Sequence, residues 1–404
     1  MTGGARQRST QVGIVGAGPA GLVLAHLLKA EGIESVVLER RDRAYVEQRV
    51  RAGVLEQGTV DLLRELGLAR RLDAEGIEHH GIELRFDGAG HRIPMTDLTG
   101  RSVTIYGQQK VVGDLIDARL EQGDELLFDV DDVTLHELDS ERPRIRYRHD
   151  GEAHELRCDA IAGCDGFHGI SRHAVPDGVL RVHEREYPYA WLGILAEVAP
   201  STDELIYAHH ARGFALHSLR SPEVSRLYLQ VDPGEEIANW PDERIWDELH
   251  TRLACDGWSL REGPIVEKGI TPMRSFVAEP MRYGRLFLAG DAVHIVPPTG
   301  AKGLNLAVAD VRELAHAFAR WYGDRDAGGL DDYSRRCLRR VWQVQRFSWW
   351  MTSMLHRAPG ADGFQDRLQR AQLEYVCSSR ASATTLAENY VGLPHESREE
   401  QAVR

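Results

Sequence analysis

Hydrophobic and polar positions change period several times along the chain, and each change predicts an element. Gln11-Val12-Gly13-Ile14-Val15 is a short apolar run, as in a strand buried in a parallel sheet. It stops at Gly16-Ala17-Gly18-Pro19-Ala20-Gly21, after which Leu22, Leu24, Leu27 and Leu28 recur at helical spacing. A second strand, Ser35-Val36-Val37-Leu38, ends in Glu39. Helical periodicity covers Val54-Leu55-Glu56-Gln57 and Val60 to Leu66, stopping near Gly67. Alternation over 81–86 and 102–106 predicts antiparallel strands away from the first unit, and a helix over 110–121 returns the chain to it. Four short strands within 191–231 predict an antiparallel sheet suited to walling a pocket. From about 304 the pattern is helical, and its aromatic run Arg346-Phe347-Ser348-Trp349-Trp350 fits core or subunit interface.

The fold class is therefore mixed α/β (α+β), with three parts. A Rossmann-like nucleotide-binding domain covers 10–180, with strands near 81–106 joining the substrate side, and is resumed over 276–303. An antiparallel-sheet substrate domain covers 181–275, and a C-terminal helical region 304–394. Residues 1–9 and 395–404 are expected to be flexible tails.

Strand, Gly-x-Gly-x-x-Gly, helix is the context that gives the glycine turn meaning. Gly16 permits the sharp turn, Gly18 admits a pyrophosphate to the backbone, and Gly21 lets helix and strand pack closely. The helix N-terminus offers free N–H groups to the phosphates, and Glu39, about twenty residues on, suits a ribose hydroxyl. The arginines that follow, Arg40, Arg41, Arg43, Arg49 and Arg51, with Tyr45, are either a solvated face or phosphate contacts. Two further clusters end apolar strands: Gly163-Cys164-Asp165-Gly166, and Ala289-Gly290-Asp291 followed by Pro297-Pro298-Thr299-Gly300-Ala301-Lys302-Gly303-Leu304-Asn305. Three such clusters converging on one ligand describe a large cofactor.

Charge narrows the partners. The 404 residues carry 49 Lys and Arg against 62 Asp and Glu, a net charge of −13, which argues against nucleic acid or an anionic membrane surface. No apolar run reaches membrane-spanning length, and the first ten residues lack a hydrophobic signal segment. Five scattered cysteines form no Cys-x-x-Cys pair, and the pairs His79-His80 and His209-His210 lack helical ligand spacing. A cytoplasmic, metal-free protein is expected.

The three clusters together resemble the single-component FAD-dependent aromatic hydroxylases. Arg51-Ala52-Gly53-Val54-Leu55-Glu56-Gln57-Gly58, the stretch from Ile161 to Arg172, the stretch from Val296 to Leu306 and Glu388-Asn389-Tyr390-Val391-Gly392-Leu393-Pro394 carry the likeness, which runs from about residue 11 to 394. The resemblance implies bound FAD, a transient NADPH or NADH donor, O2, and 4-hydroxybenzoate as the ring hydroxylated to 3,4-dihydroxybenzoate, in a homodimer. It implies that Arg220 clamps the substrate carboxylate with Ser218 and Tyr228, and that Tyr207, bonded to Tyr390, meets the phenol. His79 would carry the proton onward, Pro298 would approach the substrate hydroxyl, and Asn305 would support the flavin and tyrosine network. A phenolate is the electron-rich ring that an electrophilic oxygen on the flavin requires, so a tyrosine donor that stabilises it has a chemical purpose.

For FAD the resemblance implies Gly16, Gly18, Gly21, Glu39, Arg49, Arg51, Gln108, Asp165, Asp291, Gly300, Leu304 and Asn305. No second Gly-x-Gly-x-x-Gly unit exists for the donor, so it must bind across the surface, at His168 and Arg274 by resemblance. Arg40, Arg41 and Tyr45 suit a 2′-phosphate and favour NADPH. Arg226 matches a residue tied to flavin movement. His217 and Leu219 depart from the family pattern and are expected to alternate away from the pocket. Two alternatives stay open: a related hydroxylase for a differently substituted benzoate, and a flavin-binding protein without turnover. Retention of Arg220, Tyr207, Tyr390 and His79 argues against the latter, since binding FAD needs none of them.

Overall fold

The nucleotide-binding unit is built on parallel strands in the order Leu126–Leu127, Ser35–Leu38, Arg6–Val15, Glu152–Gly163 and Leu286–Leu288, with Arg282–Tyr283 antiparallel at the edge. The computed structural model describes residues 6–49 and 53–394. Val12, Ile14, Val37, Ile161 and Leu288 are fully buried in this sheet, the reason these strands read as continuous apolar runs. Helix Pro19–Ala30 packs against helices Gln108–Glu121 and Gly303–Asp324.

The first strand begins earlier than expected. Arg6–Ser9, assigned to a tail, pair in parallel with His154–Arg157. Their side chains are exposed, so backbone pairing and the surface ion pairs of Arg6 with Glu152 and Arg8 with Glu125 hold them, and that leaves no apolar pattern to read.

A second sheet has the order His294–Ile295, Ile265–Glu279, Arg181–Ala196, Val224–Val231, Ala215–Ser221, Leu205–Ala208, Ile82–Phe86 and Ala89–Ile93. It is antiparallel except where Leu205–Ala208 runs parallel to Ile82–Phe86. Strand Ile265–Glu279 crosses the domain boundary expected at 275, because its last residues still pair with Arg181–Arg185 and with His294–Ile295.

Val54–Glu56 is a strand rather than part of a helix. It pairs with Val103–Ile105, which also pairs with Ile77–His79, in a separate three-stranded sheet. The helix starts only at Gln57. Helical spacing over so few residues does not distinguish it from a strand whose partner lies some fifty residues away in sequence.

Helices Gly303–Asp324, Gly328–Leu355, Gly363–Ser378 and Arg380–Val391 close the structure, the third and fourth capped by the side chains of Asp362 and Ser379. One buried cluster joins the second sheet to these helices and contains Trp191, Tyr207, Phe214, Phe347, Leu386 and Tyr390. Among the described residues no helix is long and apolar enough to cross a membrane.

Candidate active site

The three sequence clusters end adjacent parallel strands at one level. Val15 is in register with Gly163, and Gly163 with Leu288, so the glycine turn, Asp165-Gly166 and Gly290-Asp291 share the carboxyl edge of the sheet. In open α/β sheets this edge takes the ligand. Gly16 has φ +104, and a Cβ there would lie 2.5 Å from the Cys164 carbonyl oxygen. A Cβ on Gly21 would lie 2.0 Å from the Gly16 carbonyl oxygen, whereas one on Gly18 meets nothing within 4 Å. Thus Gly16 and Gly21 are required by packing, and Gly18 leaves open space above the start of helix Pro19–Ala30. That start has no side-chain cap, and neither does the start of helix Gly303–Asp324.

Glu39 braces the turn, its Oε2 accepting from the Ala17 N–H at 2.8 Å and its Oε1 from the Arg41 N–H at 2.9 Å. It remains half-exposed, with lone pairs left for a ribose. Asp291 is exposed beside this edge, Gln108 is half-buried and Arg49 exposed. Gly300 is buried against Phe347 and Leu304 half-buried on the helix that follows. Asp165 instead turns into its own loop and accepts from the Ser171 N–H at 2.9 Å, while burial pushes its carboxyl up. Arg51 lies outside the described residues. An uncapped glycine turn, an open Gly18, a half-exposed carboxylate at Glu39 with acceptor capacity to spare and two helix N-termini fit an adenine dinucleotide.

A small cavity lies beside this edge, lined by Val54, Ile105, Trp191, Leu205, Tyr207 and Leu216 and, on its polar side, by Ser218, Arg220, Arg226 and Tyr228, with Pro298. Leu216, Ser218 and Arg220 alternate inward along strand Ala215–Ser221. His217 points away, fully buried, as expected. Leu219 does not: it lines the cavity where the strand's register with Val224–Val231 shifts between Leu219 and Ser221. The bulge breaks the alternation. Burial, and then the neighbouring Arg226, pull the Arg220 guanidinium below its usual range, while Tyr228 and Glu267 oppose them. Arg226 Nε donates to the Tyr228 hydroxyl at 2.7 Å.

Tyr207 and Tyr390, 183 positions apart, join hydroxyl to hydroxyl at 2.6 Å. Both are buried, and burial raises both phenols well above their usual value. His79 is fully buried, neither ring nitrogen has a protein partner, and burial lowers its pKa to about 4. Asn305 accepts from the Glu56 N–H and the Thr59 hydroxyl and donates to the carbonyls of Val54 and Ala301. It therefore ties strand Val54–Glu56 to helix Gly303–Asp324 and makes no bond to either tyrosine. Arg274 pairs with Glu184 at 3.3 Å and lies over Phe167, whose ring also meets exposed His168. Arg41 stacks on exposed Tyr45, beside exposed Arg40.

Several residues that sequence reasoning passed over shape this site. The Trp191 indole N–H donates to His356 Nε2 at 2.6 Å, and His356 Nδ1 bonds the Thr352 carbonyl at 3.0 Å, which sets its tautomer. Burial pulls Lys302 down, though its ammonium bonds Glu56 and the Tyr390 carbonyl, each at 2.7 Å. Gln109 Oε1 accepts from the Arg220 guanidinium. Of these, Lys302 lies within the third cluster and Gln109 next to Gln108 at a helix start, whereas Trp191 and His356 carried no local signal.

Residues 9–348 match the family model described as FAD binding domain. The chain is 48% identical over 391 residues, 96% of both chains, to p-hydroxybenzoate hydroxylase of Acinetobacter baylyi. It is 28% identical over 332 residues to 3-amino-4-hydroxybenzoate 2-monooxygenase of Streptomyces cremeus, covering 76% of this chain and 78% of that one. Its fold matches p-nitrophenol 4-monooxygenase of Pseudomonas putida at TM-score 0.81, covering 96% of this chain and all of the other at 18% identity. With the dinucleotide edge and the adjoining cavity, these findings establish that the chain belongs to the single-component FAD-dependent aromatic hydroxylases, flavoprotein monooxygenases that draw electrons from NAD(P)H.

Proposed function

We propose that the protein hydroxylates 4-hydroxybenzoate ortho to its phenol, forming 3,4-dihydroxybenzoate with NAD(P)H and O2, as a homodimer in the cytoplasm. One observation carries the reading. A single cavity holds the Arg220 guanidinium and the Tyr207 hydroxyl, which is bonded to Tyr390 at 2.6 Å. A small aromatic ring with a carboxylate at one end and a phenol at the other matches that polarity, and the printed name of the 48% identical relative supports it.

FAD, when bound, accepts hydride from the nicotinamide donor and passes one oxygen atom of O2 to the ring. The turn Gly16, Gly18, Gly21 would hold its pyrophosphate and Glu39 its ribose, with Arg49, Gln108, Asp291, Gly300 and Leu304 around the rest. Asp165 and Asn305 support these elements by bracing the loop and helix that carry them.

Arg220 pairs with the substrate carboxylate, with Ser218 and Tyr228 beside it, and so fixes which ring carbon is presented. The apolar wall of Trp191, Ile105, Leu205 and Leu216 keeps water from the ring. Tyr207 donates to the phenolate oxygen, and its bond to Tyr390 gives the phenol proton a path off the substrate. His79, neutral in its buried site, is the next acceptor in this reading, and Pro298 borders the hydroxyl end. Arg226, held by Tyr228, is the residue proposed to accompany flavin movement. His168 and Arg274 would take the donor, and Arg40, Arg41 and Tyr45 would meet a 2′-phosphate, which favours NADPH over NADH.

The test is NADPH and NADH oxidation by the FAD-loaded protein with and without 4-hydroxybenzoate, with product and peroxide measured together. Stimulation with one 3,4-dihydroxybenzoate per NAD(P)H is the expected result. Stimulation that yields mostly peroxide would make the acid an effector of an enzyme for another benzoate. No stimulation by any para-substituted benzoate would overturn the reading.

A further inference from the structure

We infer that His356 is a positioning residue for the reaction: by accepting from the Trp191 indole N–H it fixes the orientation of the aromatic wall that keeps water from the substrate ring. The inference rests on the reading of this cavity as the place of ring hydroxylation. Trp191 lies on strand Arg181–Ala196 and lines the cavity, and His356 directly follows helix Gly328–Leu355. Trp191 is 4% and His356 2% exposed, and the indole N–H donates to His356 Nε2 at 2.6 Å. This bond therefore joins the substrate sheet to the C-terminal helices.

Stacking alone does not fix the indole. Its ring lies 5.3 Å from the Phe214 ring at 15° and 5.8 Å from the His356 ring at 11°, and the Tyr228 ring meets it at 4.8 Å, tilted by 48°. Apolar packing of this kind is not directional within the ring plane, so it tolerates a turn that exchanges the edges of the indole. The hydrogen bond is directional and selects the one orientation in which the N–H faces His356. Turned, the same N–H would be buried without an acceptor in a wall shared with Ile105, Leu205 and Leu216, and an unpaired buried donor recruits water.

The acceptor is itself held. His356 Nδ1–H donates to the Thr352 carbonyl at 3.0 Å, so Nε2 carries the lone pair, and burial keeps the ring neutral, near a pKa of 3. The helix end that bears it is pinned from the substrate sheet. His209 Nδ1 bonds the Leu355 carbonyl at 3.1 Å. Gln230, paired with Trp191 across the sheet, bonds the Arg357 carbonyl at 2.6 Å and the Arg357 N–H at 3.1 Å through its side-chain amide. On the other side, the Thr352 hydroxyl bonds that of Thr299 at 2.8 Å, next to Pro298 at the cavity. His356 is thus anchored both to the sheet that carries Trp191 and to the turn that carries Pro298.

Side chains of different reach separate this role from mere packing. In His356→Asn the amide can still meet the Thr352 carbonyl but does not reach the indole. In His356→Gln the amide oxygen can stand where Nε2 stands, and His356→Phe keeps a stacked ring without an acceptor. The FAD-loaded wild type and variants would be compared by the NMR resonance of the Trp191 indole N–H, identified by its absence in Trp191→Phe. The second readout is the fraction of NAD(P)H consumed with 4-hydroxybenzoate that ends as hydrogen peroxide. On that path NAD(P)H, a proton and O2 give NAD(P)+ and H2O2, and the ring is left unoxidised. H356N and H356F should move the resonance upfield and raise the peroxide fraction at least about threefold, with H356Q within about twofold of wild type, as expected when a buried donor loses or keeps its acceptor. FAD content should stay at the wild-type level in all three. If H356N does not fold, H356F against H356Q carries the test. A wild-type peroxide fraction in H356N, or an indole resonance that stays in place, overturns the inference. So does H356Q uncoupling as strongly as H356N, or loss of FAD in all three, which would mark His356 as structural only. A wild type that forms no 3,4-dihydroxybenzoate would instead overturn the proposed function, an outcome visible before any variant is compared, and the resonance would still decide whether His356 orients the indole.

Discussion

The buried pair Asp310 and His294 offers the most demanding test of how the flavin edge is held. Asp310, on helix Gly303–Asp324, places one oxygen 3.0 Å from the Gly290 N–H and 2.5 Å from His294 Nε2. Both residues are 1% exposed, and they brace the turn that presents Asp291. Asp310→Ala removes two hydrogen bonds to an ionised carboxylate, one from a backbone N–H and one from the imidazolium, and strands a buried N–H, which together amount to about 3–5 kcal/mol. Asp310→Asn can still accept from Gly290 and should cost about 1–2 kcal/mol, mainly the lost charge.

The pH dependence has a definite sign. Burial pulls the His294 imidazolium down, but the charge and hydrogen bond of Asp310 outweigh it, so the net shift is upward from the ordinary 6.5. Between 6.5 and the raised value the folded chain keeps a proton that the unfolded chain has released. Stability from this pair is therefore complete below 6.5 and falls by about 1.4 kcal/mol per pH unit above it. Urea unfolding at saturating FAD, for wild type and Asp310→Asn from pH 6 to 8.5, isolates that slope, because other titrations cancel in the difference. FAD release, followed by flavin fluorescence, should be faster in Asp310→Ala. An Asp310→Ala protein with the wild-type urea midpoint and FAD retention would refute the bracing argument, and a flat difference curve would refute the charged pair.

Three other expectations follow from the same geometry. Tyr390→Phe removes the partner of the Tyr207 hydroxyl, so ionisation of bound 4-hydroxybenzoate should weaken and turnover fall by about tenfold or more; unchanged ultraviolet absorbance of the bound phenol would contradict this. Gly18→Ala should fold but bind FAD weakly, because its Cβ meets only the space meant for phosphate, whereas Gly21→Ala should be recovered unfolded or without flavin. Equal FAD content in the two variants would show that the turn's roles are misassigned. Burial holds His79 and His217 near a pKa of 4 and His356 near 3, so the unfolded chain takes up three protons below 6.5 that the folded chain refuses. Stability should then drop by about 4 kcal/mol per pH unit on acidification toward 5, and a melting temperature flat from pH 6.5 to 5 would exclude it.

How legible the site was depended on distance along the chain. The glycine turn and Glu39 could be read because strand, turn and helix are contiguous, and Gly16 at φ +104 with no room for a Cβ leaves no other residue type. The clusters at Asp165 and Asp291 were visible for the same reason, although the Asp165 side chain serves its own loop. Arg220, Tyr207 and Tyr390 entered by resemblance alone. Each taken singly has the pattern of an ordinary strand or helix residue. Strand Val54–Glu56, the early start at Arg6 and the bulge at Leu219 were misread because backbone pairing with a remote strand, not local composition, decides them.

By itself the sequence determined the periods of its strands and helices, the glycine geometry of the nucleotide edge and the overall charge. These depend on covalent geometry and on neighbours within one or two turns of chain. The meeting of Tyr207 with Tyr390, Arg220 with Gln109, Trp191 with His356, and Asp310 with the Gly290 turn was decided only by tertiary packing. Each such bond needs two elements to be docked at one angle and register, and that docking is set by the whole buried interface rather than by the few residues that make the contact.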